Sequence, residues 1–281
     1  MASSFELLSA TRYDPFLVNL RWNQEGTSGS PFLLLHYHLD RLKAAARLHG
    51  WVEVERSLSW NALQSECNRA IEPYINPDKP KACKIRLILA ESGVLTATAN
   101  PLPWALKSDP TSASFFKPDT DAPSLYGTPI PIVLDSKPTP SSQFTRTKTT
   151  NRDVYDAART RLDLPSFPSS QSDILSPGDV LLYNPQDMIT ETSVYNIAFY
   201  RSNRWMTPPE SSGCLPGVLR RWLLEQGRIK EAREGVLTRD SVVDGECVLL
   251  MNGVRGCELG RIVIRPKDEI QDPDGIMSDG R

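Results

Sequence analysis

The chain is poor in the residues that build metal centres and disulfide frameworks. It has three histidines, His36, His38 and His49, all in one segment, and five cysteines, Cys67, Cys83, Cys214, Cys247 and Cys257, none in a C-x-x-C pair. No zinc ligand set follows from that spacing, and no metal site is expected. An odd cysteine count leaves at least one thiol outside any disulfide scheme, which points to a reducing compartment. No run approaches the roughly 20 apolar residues of a membrane span. The opening Met1-Ala2-Ser3-Ser4-Phe5 has no basic stretch followed by an apolar one, so the expectation is a soluble, cytoplasmic protein without a secretory leader. Net charge is lacking too: 32 Lys plus Arg against 34 Asp plus Glu leave −2, with a pI of about 6.0. Such a balance provides no field to hold a polyanion, which excludes generic nucleic-acid binding. A G-x-S-x-G elbow is also missing, which speaks against an α/β hydrolase.

What is present describes a folding chain of 281 residues, 40% hydrophobic and 23% charged, away from the composition of disordered proteins. Its length suits one large domain or two modest ones. The first hundred residues read as α+β. Apolar runs Phe16 to Trp22 and Phe32 to His36 flank the turn-rich segment from Asn23 to Ser30, which predicts a hairpin. Leu39, Leu42 and Ala46 recur at helical spacing and stop at Gly50, and Leu58, Leu63, Cys67, Ala70 and Ile71 mark a second helix. Ile85, Leu87 and Leu89 alternate with their neighbours, and Val94 to Ala99 follows a Glu91-Ser92-Gly93 turn, predicting another hairpin.

Nine prolines lie between Pro101 and Pro140, too many lost donors for a helix or a central strand, so this stretch reads as a linker. Beyond it strands alternate with helices: Asp153 to Leu162 helical, Val180 to Tyr183 and Tyr195 to Tyr200 extended. A helix carrying Leu219, Trp222, Leu223 and Gln226 is closed by Gly227, and strands follow at Cys247 to Met251 and Leu259 to Ile264. The tail after Pro266 reads as poorly ordered. The expected division is a small α+β domain over 1–125 and a large α/β domain over 126–281.

Three segments carry candidate chemistry. Lys148 lies between Arg146 and Arg152, whose charges favour its neutral amine, the state a Schiff-base lysine needs. Taken alone the segment reads first as a solvated basic patch. Glu191 stands at the mouth of an apolar strand, where a buried carboxylate wants a cationic or donor partner such as a pyridinium nitrogen. An ordinary salt bridge or a helix cap accounts for it equally well. Gly213 to Arg221 runs from a glycine-containing loop into a helix whose first N–H groups suit a phosphate, with Arg41 as a possible charge-assisted partner. Arg41 is read as well as a surface helix residue.

The order lysine, carboxylate, anion-binding helix start resembles the class IV aminotransferases, the fold-type IV pyridoxal-phosphate enzymes typified by D-amino acid aminotransferase, over nearly the whole chain. His38-Leu39-Asp40-Arg41-Leu42 is similar to the family's H-x-x-R-L segment, implying that Arg41 binds cofactor phosphate. The resemblance further implies that Lys148 forms the aldimine and removes the Cα proton. Glu191, in E-T-S-x-x-N, would pair with the pyridine nitrogen, and Val218 and Leu219 would offer backbone contacts to phosphate. The Lys148 to Tyr155 run, including Arg152, and Asn252-Gly253-Val254-Arg255-Gly256 look closest to aminodeoxychorismate lyases. Those segments imply cofactor contacts at Arg152, Asn252 and Val254, and together with Phe5 to Arg12, which resembles a segment of the same lyases, a substrate pocket with Ala10, Arg12 and Arg255. Transaminases often have a phosphate-binding threonine where Val254 stands.

Lyases of this type usually have a threonine where this chain has Ala10, and Thr11 falls on the opposite strand face. The implied activity is therefore amino transfer between an amine or amino acid, of D- or (R)-configuration in some members, and a keto acid. The alternative is a 4-amino-4-deoxychorismate lyase that releases pyruvate and p-aminobenzoate. Pyridoxal 5'-phosphate as cofactor and a homodimer are implied in either case. A non-catalytic binding protein on the same scaffold is the rival from another class, disfavoured by the joint presence of Lys148 and Glu191.

Overall fold

A computed structural model describes residues 5–26, 28–75, 81–165 and 178–264. Strand β1 (Leu7–Tyr13) is followed by a sharp change of direction. The Asp14 carboxylate accepts from the Phe16 amide at 3.0 Å and Pro15 fixes the first φ, so Pro15–Asn19 winds into a 3-10 turn. The hairpin expected between Phe16 to Trp22 and Phe32 to His36 therefore does not form. Only the turn-rich centre pairs, as β2 (Gln24–Glu25) and β3 (Ser28–Gly29). Asn23 ties the loop together by donating to the Ser30 and Phe32 carbonyls and accepting from the Leu34 amide. The second apolar run becomes the entry to α1 (Leu35–Leu48).

Two more helices, α2 (Val52–Ser57) and α3 (Trp60–Ile71), precede the hairpin of β4 (Cys83–Leu89) and β5 (Leu95–Pro101), which appears as expected. The antiparallel sheet has the order β1-β4-β5, with Ala10 opposite Arg86. Alternation sends Ile85, Leu87 and Leu89 into a core shared with Leu39, Leu42, Leu63 and Cys67 of the helices. Lys84 and Arg86 consequently face the other way.

The proline-rich stretch is more than a linker. It carries two 3-10 turns and β6 (Ile130–Leu134), an interior strand of the larger sheet. Pro131 is tolerated because it lies in the part of β6 that precedes pairing with its second neighbour, which begins at Ile132. The rest comprises α4 (Gln143–Arg146), α5 (Asp153–Thr160), β7 (Asp179–Tyr183), β8 (Ile189–Thr192), β9 (Asn196–Arg201), β10 (Arg204–Thr207), α6 (Val218–Glu225), β11 (Ile229–Glu231), β12 (Cys247–Asn252) and β13 (Gly256–Val263). The sheet order is β11-β10-β9-β12-β13-β6-β7-β8, with four antiparallel and three parallel pairings. This is a mixed sheet of an α+β fold; the expected alternation of strand and helix does not hold, because most of its strands are joined by turns. The tail after Pro266 lies outside the described residues.

Leu17, Leu33 and Leu34 pack into one core with Trp205, Trp222 and Leu249, joining the N-terminal segment to the large sheet. The chain from Thr147 to Thr150 runs beside β1: the Leu8 amide donates to the Lys148 carbonyl at 2.8 Å and the Thr150 amide to the Glu6 carbonyl at 2.9 Å. Lys148 is thus held by its backbone between the two sheets.

Candidate active site

A cavity opens between the sheets, lined by Ala10, Arg41, Lys148, Arg152, Glu191, Val218, Leu219, Asn252, Val254 and Arg255. Segments far apart in sequence converge on it, bringing together ten of the eleven residues singled out above. The eleventh, Arg12, is a correction. It shares a strand face with Ala10, but its guanidinium is fully buried in an ion pair with Asp14 at 2.7 Å, donates to the Trp104 carbonyl at 2.8 Å, and does not line the cavity. Thr11 points away from the cavity as expected, donating to the Leu33 carbonyl at 2.8 Å.

Burial, reinforced by the charges of Arg152 and Arg41, lowers the Lys148 amine to about 7. Glu191 responds in the opposite sense: burial raises it to about 7, against the Tyr155 hydroxyl, Lys148 and the Leu215 backbone, which favour its charge. Tyr155 donates to Glu191 Oε1 at 2.8 Å from α5. Beneath Glu191 the Thr192–Tyr195 turn is fastened to Asp179, which accepts from Thr192 at 2.6 Å, from Ser193, and from Arg159 at 3.0 Å. Arg152 donates to the Ser193 carbonyl at 3.0 Å, gripping the same turn from above α5.

At the other end α6 follows Gly217, which has no side chain to cap its first N–H groups, and Val218 and Leu219 line the cavity. The position is crowded: a Cβ would stand 1.9 Å from Asn196 Oδ1, so any larger residue would make the Asn196 side chain shift. Arg41 reaches the cavity from α1 and donates to Ser9 Oγ at 2.5 Å, while its buried Nε has no hydrogen-bond partner among the described residues. Burial lowers Arg41 to about 10, so it stays cationic at neutral pH. An orphaned cationic donor and an uncapped helix start fit a phosphate group. A carboxylate with a raised pKa and a lysine lowered to about 7 fit the ring nitrogen and the carbonyl of pyridoxal phosphate.

Asn252 accepts from the Val254 and Arg255 amides at 3.0 and 2.8 Å, shaping the turn between β12 and β13. Sequence reasoning missed Tyr155, Asn196, Lys84 and Arg86 as cavity residues. The last two were foreshadowed by the alternation of β4, since the face opposite Ile85, Leu87 and Leu89 meets the cavity instead of solvent. Nothing local marks Tyr155, whose role depends on a partner 36 residues away.

A lysine and a carboxylate sharing a cavity with an uncapped helix start suit an enzyme that handles amines through a phosphorylated carbonyl cofactor. Comparison with known proteins narrows it. Residues 20–258 match the family model of amino-transferase class IV. A Schizosaccharomyces pombe protein provisionally named aminodeoxychorismate lyase is 31% identical over 236 residues, covering 83% of this chain and 86% of that protein. Aminodeoxychorismate lyase of Saccharomyces cerevisiae is 30% identical over 227 residues, covering 74% of this chain and 59% of that protein. A solved structure from Mesorhizobium loti, provisionally named an amino-acid aminotransferase, superposes with a TM-score of 0.64 at 26% identity, over 92% of this chain and 100% of that one. The chain belongs to the class IV aminotransferase family, whose members are pyridoxal-phosphate-dependent enzymes of fold type IV.

Proposed function

We propose that this protein binds pyridoxal 5'-phosphate and acts as a carbon–oxygen-cleaving lyase on 4-amino-4-deoxychorismate, releasing pyruvate and p-aminobenzoate. The observation that carries the reading is the charge of the cavity wall: Arg41, Lys84, Arg86, Lys148, Arg152 and Arg255 line it with one carboxylate, Glu191, while Glu258 pairs with Arg255 at 2.6 Å and Asp156 lies 3.9 Å from Arg152. A cofactor phosphate and an internal lysine use two of these cations. Even with Glu258 and Asp156 counted against Arg255 and Arg152, the excess of positive charge favours a substrate with more than one carboxylate, as aminodeoxychorismate has. The names of the two curated relatives support the same reading.

When bound, the cofactor supplies a carbonyl for the substrate amine and a ring that withdraws electrons from the adjacent carbon. The Arg41 guanidinium and the Val218 and Leu219 amides hold its phosphate, and Glu191, steadied by Tyr155, holds the proton on its ring nitrogen. Asn252 and Val254 support the cofactor side through their turn, and Arg152 keeps the Ser193 turn under Glu191 in place. Lys148, with its pKa near 7, removes the proton from the amine-bearing carbon of the substrate. Arg86 and Arg255 orient the substrate carboxylates beside Ala10. Because position 10 bears only a methyl group, the proton for the departing enolpyruvate comes from Lys148, which has just acquired one.

Ala10 also favours a second reading, amino transfer to a keto acid, since the usual threonine hydroxyl is missing beside the cavity. The discriminating experiment offers the holoenzyme aminodeoxychorismate and, separately, D-, L- and (R)-amines with keto acids. Release of p-aminobenzoate with equimolar pyruvate supports lysis. Amine exchange without p-aminobenzoate supports transfer and overturns the proposal.

A further inference from the structure

His38 is a buried titratable group beside the cavity without a place in this chemistry. It is fully buried, as is Ser9, and the two meet at 2.7 Å between Ser9 Oγ and His38 Nδ1. Arg41 donates to the same Ser9 oxygen at 2.5 Å. On its far side His38 abuts the turn between β12 and β13: a Cβ on Gly253 would lie 2.9 Å from His38 Cε1 and 3.1 Å from Nε2, with the Ala10 carbonyl also at 2.9 Å. His38 Nε2 has no hydrogen-bond partner among the described residues.

We propose that Ser9 and His38 are positioning residues, which fix the Arg41 guanidinium for the phosphate and brace it against the turn carrying Asn252, Val254 and Arg255. The proposal rests on the reading that Arg41 holds cofactor phosphate. One of these directions is forced, and the other follows from the histidine tautomer. Arg41 has only donors, so the Ser9 oxygen accepts from it; with the imidazole proton on Nε2, the single Ser9 proton goes to His38 Nδ1. The Arg41 guanidinium, which can only donate, also lies 3.4 Å from His38 Nδ1, and this favours a neutral imidazole whose Nδ1 is an acceptor. Burial and the charges of Arg41 and Lys148 enforce neutrality, pushing His38 well below its ordinary range against the opposing Leu33 backbone. A charged imidazole would instead donate to Ser9 and turn the hydroxyl proton toward Arg41. Arginine has many rotamers, and a fixed acceptor reduces the ordering left for cofactor binding to supply.

Equilibrium dialysis of the purified protein against pyridoxal phosphate and against pyridoxal, which lacks the phosphate, tests the proposal. Ser9→Ala and His38→Leu should each weaken pyridoxal phosphate retention about tenfold, the scale of one hydrogen bond to a charged group, and leave pyridoxal binding unchanged. His38→Asn, which keeps an acceptor near the Nδ1 position, should recover most of the loss. In an Arg41→Ala background, Ser9→Ala should change retention by less than about twofold, since the two residues act through one contact. Equal losses for both ligands, or the same tenfold loss in the Arg41→Ala background, would mean that Ser9 and His38 merely stabilise the fold. Undiminished retention in Arg41→Ala alone would remove the phosphate role of Arg41, and the proposal with it.

Discussion

Lys148 and Glu191 are displaced toward neutrality from opposite sides by the same cause, loss of water around a charge. The consequence for stability has a definite sign. Folded Glu191 keeps a proton that the unfolded chain gives up, so between its ordinary 4.5 and about 7 it costs stability as pH rises. Lys148 is the reverse: between about 7 and 10.5 the unfolded chain binds a proton that the folded one does not, so stability rises with pH. In urea unfolding of the cofactor-stripped protein, Glu191→Gln should remove the falling limb and Lys148→Met the rising one, each at most about 1.4 kcal/mol per pH unit. Limbs unchanged in both variants would show that neither group is perturbed. In the holoenzyme Glu191→Gln should retain cofactor yet lose on the order of 10²-fold in turnover, a few kcal/mol of electrostatic stabilisation. The residue types and their order were readable from the sequence, whereas Tyr155 was not, because a hydrogen bond across 36 residues leaves no local pattern.

Elements were readable where periodicity was strong. The α1 and α3 patterns and the β4–β5 hairpin follow directly from apolar spacing. Two readings failed for identifiable reasons. The apolar run after Tyr13 is diverted by the Asp14 carboxylate and Pro15, a local bond that outweighs strand propensity. β6 escapes notice among prolines because only Pro131 lies within it, outside the overlap with β7. Element-scale tightness gives a further prediction. Gly217→Ala would drive a Cβ into Asn196, whose Nδ2 donates to the Leu215 carbonyl at 2.8 Å, and so would shift the start of α6. Cofactor affinity should fall by about tenfold or more and the melting temperature should drop, by thermal denaturation and dialysis. A variant with normal affinity would mean that the α6 start does not hold phosphate.

For the whole molecule, the cavity depends on two sheets that meet along the Thr147–Thr150 segment and on cations delivered from both. Fold class could be inferred from the sequence, but the mixed order of the large sheet could not, since strand pairing across long separations is set by packing and not by local pattern. Position 10 is where the two candidate reactions part. Ala10→Thr restores a hydroxyl on the cavity face of β1, and general-acid assistance is commonly worth about 10²–10⁴-fold. The variant should therefore release p-aminobenzoate faster than wild type, followed by fluorescence. An unchanged or slower rate would show that proton delivery from Lys148 is not limiting.

All of this depends on Lys148 being the residue that holds the cofactor. The most direct measurement is borohydride reduction of the holoenzyme followed by peptide mass spectrometry. A phosphopyridoxyl group on the peptide containing Lys148, absent from Lys148→Ala together with the near-visible absorption band, is the expected result. A label on Lys84 or another lysine, or full turnover in Lys148→Ala, would contradict it.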